Sequence, residues 1–424
     1  MTKCPHEKSL MNPNTMESPY DFYQWMREEA PVFHDPGLNI YIVSRYDLIK
    51  EVTANTEAFS NMKAQLNQWE HRPGGLPQEA KDLLSKAIPQ IPMLVTADPP
   101  QHTRSRALVN LAFSAPKVEK MSDYIQEIID DLIDTFDGSA SVEFMHKFCV
   151  PLPVYVISDQ LGVSRSEYQR VKAWSDAIVG LRGLMGTDEQ IVENAKTLLD
   201  FQDYFINKIR ERREDGKTYD DMLSDLMNAK LEDERPLSEE EMISVLQQLT
   251  VAGNESTTSA ICSAMMLLLK QPDLIERLNG DDKLLKRFVE ECLRLEAPIQ
   301  GNLRKTTKPV TVAGVDIPEG AIVQVRHGSG NRDERVFSCP NDIDLDSPKI
   351  PTHLTFSAGI HFCIGAMLAR KEILLSIKTL LRRLNNLHLT PDMNSFEHIP
   401  SMYVRALKEL HISFDSVSPR KVAS

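Results

Sequence analysis

The segment SEEEMISVLQQLTVAGNESTTSAICSAMMLLLK, Ser238 to Lys270, constrains this chain more than any other stretch. Read as one helix from Glu239 to Lys270, it is roughly 45–50 Å long and spans a whole domain. Ser238 and Glu241 carry the Ser-x-x-Glu signature of a capping box, and Pro272 marks the stop. Apolar residues occur on more than one side, so the helix is expected to be buried. Its middle, AGNESTT, nonetheless holds a glycine and a run of five polar residues. Polar groups left unpaired in such a place are costly. Either the helix kinks there, with Ser and Thr bonding back to the preceding turn, or these groups have a partner.

Other helices follow from the same spacing. SDYIQEIIDDLIDTF, NAKTLLDFQDYFINKIRERRE and DKLLKRFVEECLRLE repeat apolar residues at i, i+3, i+4. Strand signals are short: NIYIVSR after a Pro-Gly turn, the alternating run Val310 to Arg326, and HLTPD with LKELHISF near the C-terminus. The Pro- and Gly-rich stretch from Asn61 to Pro100 reads as a long, weakly patterned loop, which is more often functional than not. The expected class is mainly α, with small β-sheets near the N-terminus and after DKLLKRFVEECLRLE.

A length of 424 residues, 42% of them hydrophobic, permits a large core. The net charge of −13 argues against a nucleic-acid partner. Cys4, Cys149, Cys262, Cys292, Cys339 and Cys363 show no paired spacing, so neither a zinc site nor a disulfide framework is expected. No run approaches the roughly 20 apolar residues of a membrane span, and the N-terminal stretch has no apolar signal core. The chain reads as reduced, cytoplasmic and without a membrane partner.

One cysteine is placed differently from the rest. FSAGIHFCIGA, Phe356 to Ala366, sets Cys363 between Gly359 and Gly365, with no acidic residue. The glycines permit tight turns that bring backbone amides toward the sulfur. AMLARKEILLSIKTLLRRL follows as an amphipathic helix, so Cys363 precedes a helix N-terminus, which favours a thiolate. His361 lies two residues from Cys363.

This stretch resembles the cysteine-ligand loop of the cytochrome P450 monooxygenases, Phe-x-x-Gly-x-His/Arg-x-Cys-x-Gly, with Phe356, Gly359, His361, Cys363 and Gly365 in every fixed place. Four further motifs occur in that family's order. Glu291 and Arg294 match its Glu-x-x-Arg. GNRDERVF resembles the loop that partners this pair, with Arg332 as the third member. DPPQHTRSR resembles its propionate-binding helix start, where His102 and Arg106 share a helix face. AGNESTT resembles its oxygen-binding bend.

The resemblance implies a single triangular domain over residues 1–424, with the long central helix lying over haem b. It assigns Cys363 to the iron, and His102, Arg106, Arg304 and His361 to the two propionates, which suit such donors. Ala252, Phe356 and Gly365 would pack against the haem. Glu255 and Ser256 match an acid–alcohol pair that delivers protons for O–O cleavage. The family usually has Thr where Ser256 stands, and Thr257 is a second candidate for that role. Substrate would be lined by Leu94, Val95, Gln248, Val251, Ala252, Ile299, Gln300 and Met402.

The implied activity is insertion of one oxygen atom of O2 into a C–H bond of a mainly apolar small molecule. Gln248 and Gln300 suggest a substrate with one or two oxygens, such as a terpenoid or steroid. No Gly-rich dinucleotide fingerprint follows a strand, so electrons are expected from a ferredoxin-type donor. Arg104, Arg370 and Lys371 are the expected docking cations. Two rivals remain: a peroxide-driven peroxygenase, and a haem-thiolate sensor or binding protein without turnover. The acid–alcohol pair argues against both.

Overall fold

Helices dominate the computed structural model, which describes residues 9–65, 75–182, 186–217, 219–232, 234–348 and 351–420. The chain forms two units interleaved along the sequence. The first takes Met1–Ser60, Met121–Leu152 and Ser256–Ser424, and the second Asn61–Lys120 and Pro153–Glu255.

The first unit contains a five-stranded sheet made from distant segments. Its strands are β1 (Val32–Asp35), β2 (Ile40–Val43), β3 (Phe59–Ser60), β4 (Asn302–Thr306) and β5 (Ile322–Val325), in the order β1-β2-β5-β4-β3. Only the β2–β5 pair is parallel, with Tyr41 opposite Val323; the other pairs are antiparallel. Period-2 alternation in IVQV turns Val323 and Val325 into a cluster with Val43, Ile49, Val52 and Leu354. Helix Ala366–Arg383 packs on helix Ser122–Asp134, where Arg383 meets Asp130 at 2.9 Å. The third strand patch of the sequence pairs as expected: His388–Leu389 joins His411–Ser413, which joins Ser141–Glu143.

The second unit is helical. Trp174, fully buried on helix Tyr168–Arg182, meets Phe201 and Phe205 of helix Asp188–Asp215 at ring distances of 5.6 and 5.7 Å. The stretch read as one long loop is in part helical, with Gln78–Leu84 an α-helix and Leu94–Thr96 a single 3₁₀ turn. Its residues 66–74 lie outside the described residues.

The long helix is two. Glu239–Ala252 begins with the expected capping box: Ser238 Oγ accepts the Glu241 amide at 3.2 Å, and Glu241 Oε2 accepts the Ser238 amide at 2.9 Å. Helical bonding then fails at Gly253–Asn254 and resumes over Glu255–Leu269. The cause is local. Thr250 Oγ1 donates to Leu246 O at 2.9 Å, and Asn254 Nδ2 takes the Thr250 carbonyl at 2.8 Å, which would otherwise accept the Asn254 amide.

Candidate active site

In the first unit, Ser357 (φ +63°) and Gly359 (φ +69°) fold the cysteine loop back on itself. The Cys363 amide then donates to the Phe356 carbonyl at 2.9 Å. A Cβ at Gly359 would meet Thr53 O at 2.8 Å, so only glycine fits that left-handed position. Cys363 is exposed, flanked by exposed Ile360 and Phe362. Gly365 ends the loop and leads into helix Ala366–Arg383. His361 closes a short 3₁₀ turn and is half-buried.

Phe356 is held from several sides. The Arg370 guanidinium carbon stands 4.4 Å from its ring centre, His353 lies 5.7 Å away and Phe362 6.3 Å. Glu290 grips Arg370 Nε and Nη2 at 2.6 and 2.8 Å and meets His353 Nε2 at 3.2 Å. Burial pushes the Glu290 carboxyl up, but His353 and Arg370 outweigh it and hold it at about 2.

Glu291 and Arg294 form a bidentate pair at 2.8 and 2.7 Å, each side chain 1% exposed. Arg294 also donates to the carbonyls of Asn331, Cys339, Pro340 and Asp342, and Glu291 Oε2 accepts the Asp344 amide at 2.8 Å. Arg332 is not the third member that the sequence led us to expect. It donates to Leu295 O at 2.9 Å, meets Glu296 at 3.6 Å, and lies 3.7 Å over the Tyr20 ring. Arg294 and the Asp344 amide already occupy both oxygens of Glu291, which leaves Arg332 to the neighbouring acid.

Arg304 is buried on β4 and donates to Leu303 O at 2.9 Å. Close to it in charge terms is His327, fully buried, with no hydrogen-bond partner for either ring nitrogen among the described residues. Burial, then the charges of Arg304 and Arg326, lower its pKa to about 3. Ile299 and Met402 are half-buried. Gln300 is not open to a ligand: Tyr23 Oη donates to its Oε1 at 2.8 Å, and its Nε2 donates to Ala297 O at 2.7 Å. Ser256 is half-buried and Thr257 is buried.

In the second unit, helix Gln101–Asn110 carries His102 and Arg106 one turn apart. Burial, then Arg106, lowers the His102 pKa. Arg106 Nε donates to Asn110 Oδ1 at 3.1 Å. Residues 241–250 of helix Glu239–Ala252 are all buried, yet Val251 is half-buried and Ala252 exposed. Leu94, Val95 and Gln248 come together. Gln248 Nε2 donates to Met93 O at 3.0 Å, and its Oε1 accepts the Val95 amide at 3.2 Å. As at Gln300, the amide is already paired, so neither glutamine demands oxygen from a substrate. Burial raises the Glu255 pKa; Lys172 opposes this and Asp176 adds to it. A carboxyl shifted in this direction is better suited to proton transfer than an ordinary exposed one.

Taken unit by unit, the side chains suit a haem. In the first, the Cys363 thiol is accessible and set among apolar residues, and Arg304 is a buried cation. In the second, His102 is a buried donor, and Ala252 is exposed at the end of a buried run. The expected docking cations fare differently. Arg104 is bound to Glu234 and Glu241 at 3.0 and 2.9 Å, and Arg370 to Glu290, so neither offers an uncompensated charge. Glu290, His353 and the loop partners of Gln248 escaped the sequence reading. The doubled acid Glu290–Glu291 was the one signal that pointed toward the first of them.

A family model described as Cytochrome P450 matches residues 167–406. Cytochrome P450 107B1 of Saccharopolyspora erythraea is 32% identical over 92% of this chain and 93% of its own. The structure of cytochrome P450 CYP109Q5 from Chondromyces apiculatus superposes with a TM-score of 0.83 at 29% identity, covering 97% of this chain and 98% of that one. CYP109E1 from Bacillus megaterium, solved in complex with testosterone, gives 0.79 at 31% identity over 94% and 99%. No helix among the described residues is long and apolar enough to cross a membrane. The chain belongs to the cytochrome P450 family, whose cofactor is haem b and whose activity is monooxygenation.

Proposed function

We propose that this protein hydroxylates a mainly apolar small molecule of terpenoid or steroid type, with electrons from a ferredoxin-type donor. The observation that carries this is the exposed Cys363 thiol on a loop whose fold is set by Phe356, Ser357 and Gly359. Cys363 is the residue to hold the iron; His102, Arg106, Arg304 and His361 are those to hold the propionates. Iron bound through a thiolate supplies O2 activation by pushing electron density toward O–O cleavage. Glu255, whose pKa burial raises, and Ser256 or Thr257 are the residues to relay protons.

The substrate class rests on apolar candidates: Leu94, Val95, Val251, Ala252, Ile299 and Met402. The testosterone bound by CYP109E1 supports a polycyclic ligand of this kind. The paired states of Gln248 and Gln300 remove the argument for substrate oxygens. The test is a ligand screen by haem absorbance shift, followed by product identification with a ferredoxin system. Hydroxylated terpenoids or steroids are the expected products. Tightest binding by long-chain acids or charged ligands would reject the class. Turnover with peroxide and none with the ferredoxin system would reject the donor.

A further inference from the structure

Residues 88–96 belong to no strand, yet their backbone is held closely by side chains of three helices. Helix Asp188–Asp215 supplies Gln202, which accepts the Ile88 amide at 2.8 Å and donates to the Ile88 carbonyl at 3.1 Å. Helix Glu239–Ala252 supplies Ser244, whose Oγ accepts the Ile91 amide at 2.9 Å. One turn later on the same face, Gln248 takes the Met93 carbonyl and the Val95 amide. Helix Gln101–Asn110 supplies Ser105, whose Oγ accepts the Leu94 amide at 3.2 Å. Each buried carboxamide does for the segment what a neighbouring strand would do, accepting one amide and donating to one carbonyl.

The residue bracketed by these bonds is in an unusual state. Leu94 has φ +45°, a left-handed conformation that a branched side chain rarely adopts. Such a backbone persists only where its surroundings over-determine it, and such places concentrate at ligand sites. Here Gln248 fixes the residue before and the residue after Leu94, and Ser105 fixes Leu94 itself. Without Gln248, the Val95 amide loses its side-chain partner, while the Met93 carbonyl keeps the Thr96 hydroxyl and amide, both at 2.9 Å, so the constraint after Leu94 is gone and the one before it is weakened.

We propose that Gln248 is a specificity-determining positioning residue. It acts on substrate choice by clasping Met93 and Val95 and so fixing Leu94 in its strained conformation, and not by touching the substrate. This rests on the monooxygenase reading of the same residues and adds the device that sets their selectivity. A fixed wall discriminates by shape, and a loosened one accepts ligands of more sizes.

The experiment uses the haem-loaded full chain, wild type, Gln248→Met and Ser105→Ala. Amide hydrogen exchange is followed over residues 88–96, and binding by haem absorbance shift with a ligand panel running from limonene to testosterone. In Gln248→Met, exchange at Val95 is expected to rise at least tenfold while Ile88, clasped by Gln202, stays protected. The ratio of dissociation constants across the panel is expected to shrink about tenfold. Ser105→Ala is expected to raise exchange at Leu94 and shrink the ratio in the same direction, from a different helix. Unchanged exchange at Val95, or altered selectivity without altered exchange, would overturn the proposal, the second because it marks direct contact. Faster exchange with an unchanged ratio in both variants would overturn it too. Failure of wild type to bind haem would sink the monooxygenase reading instead, and the exchange arm is read without it.

Discussion

The guanidinium of Arg370 stacks 4.4 Å from the ring centre of Phe356, and Phe356 in turn holds the Cys363 amide through its carbonyl. Glu290 fixes the guanidinium, so a chain of contacts runs from the acid beside Glu291 to the thiol's own backbone. Replacing Arg370 by Gln removes a cation–π contact of about 0.5–1 kcal/mol. It also removes a part-exposed ion pair worth up to about 1 kcal/mol. The expected outcome is a loss of about 1–2 kcal/mol in denaturant unfolding, together with a shifted or broadened Soret band of the reduced carbonyl complex. An unshifted band would cut the link between Arg370 and the cysteine loop.

Arg294→Lys keeps the charge and loses the fork. Lysine cannot reach both oxygens of Glu291 and four loop carbonyls from one head group. Breaking a buried pair of this kind costs about 3–5 kcal/mol, a large part of a typical domain's stability. The soluble yield and the haem-to-protein ratio should both collapse. Wild-type levels of either would show that the pair is dispensable.

Glu372 gives the fold a pH dependence of known sign. It is buried on helix Ala366–Arg383, its Oε2 has no hydrogen-bond partner among the described residues, and burial raises its pKa from 4.5 to about 8. Between those values the unfolded chain has released a proton that the folded chain keeps, so stability is full below pH 4.5 and is lost as pH rises through 8. The drop is on the order of a few kcal/mol. Glu372→Gln removes this limb. Thermal unfolding of the two proteins at pH 5 and pH 8 checks it, and the variant should gain most at pH 8. An equal gain at both values would assign the effect to packing.

Ser256→Ala removes the hydroxyl of the proposed acid–alcohol pair while leaving Glu255 and Thr257 in place. Product per NADH should fall and hydrogen peroxide per NADH should rise by a similar amount. Unaltered coupling would transfer the role to Thr257, whose own alanine variant would then show the defect.

Local features were readable from the letters. The Ser238–Glu241 box formed as spaced, because both partners lie within one turn. The cysteine loop was recognisable because Gly359 occupies a position where a Cβ would strike Thr53 O. What escaped depends on partners distant in sequence. Gln248 and Gln300 were rightly seen as polar residues in apolar company, but nothing nearby says that Met93, Val95 and Tyr23 use them. Arg332 could be placed beside the Glu-x-x-Arg helix, yet the choice of Glu296 over Glu291 depends on which oxygens Arg294 and Asp344 had taken. The break at Gly253–Asn254 was foreshadowed by its polar run, but the competing bond from Asn254 to Thr250 O is a matter of geometry.

The parallel pairing of β2 with β5 joins Tyr41 to Val323. During synthesis the first strands leave the ribosome long before their partner exists, with Ile42 and Val43 waiting uncovered. Closing that pair early means closing a very large loop, which slows assembly and exposes apolar edge to other chains. Slow translation, low temperature or a chaperone should therefore raise the recovered fraction of native protein, and truncation before residue 322 should yield only aggregate.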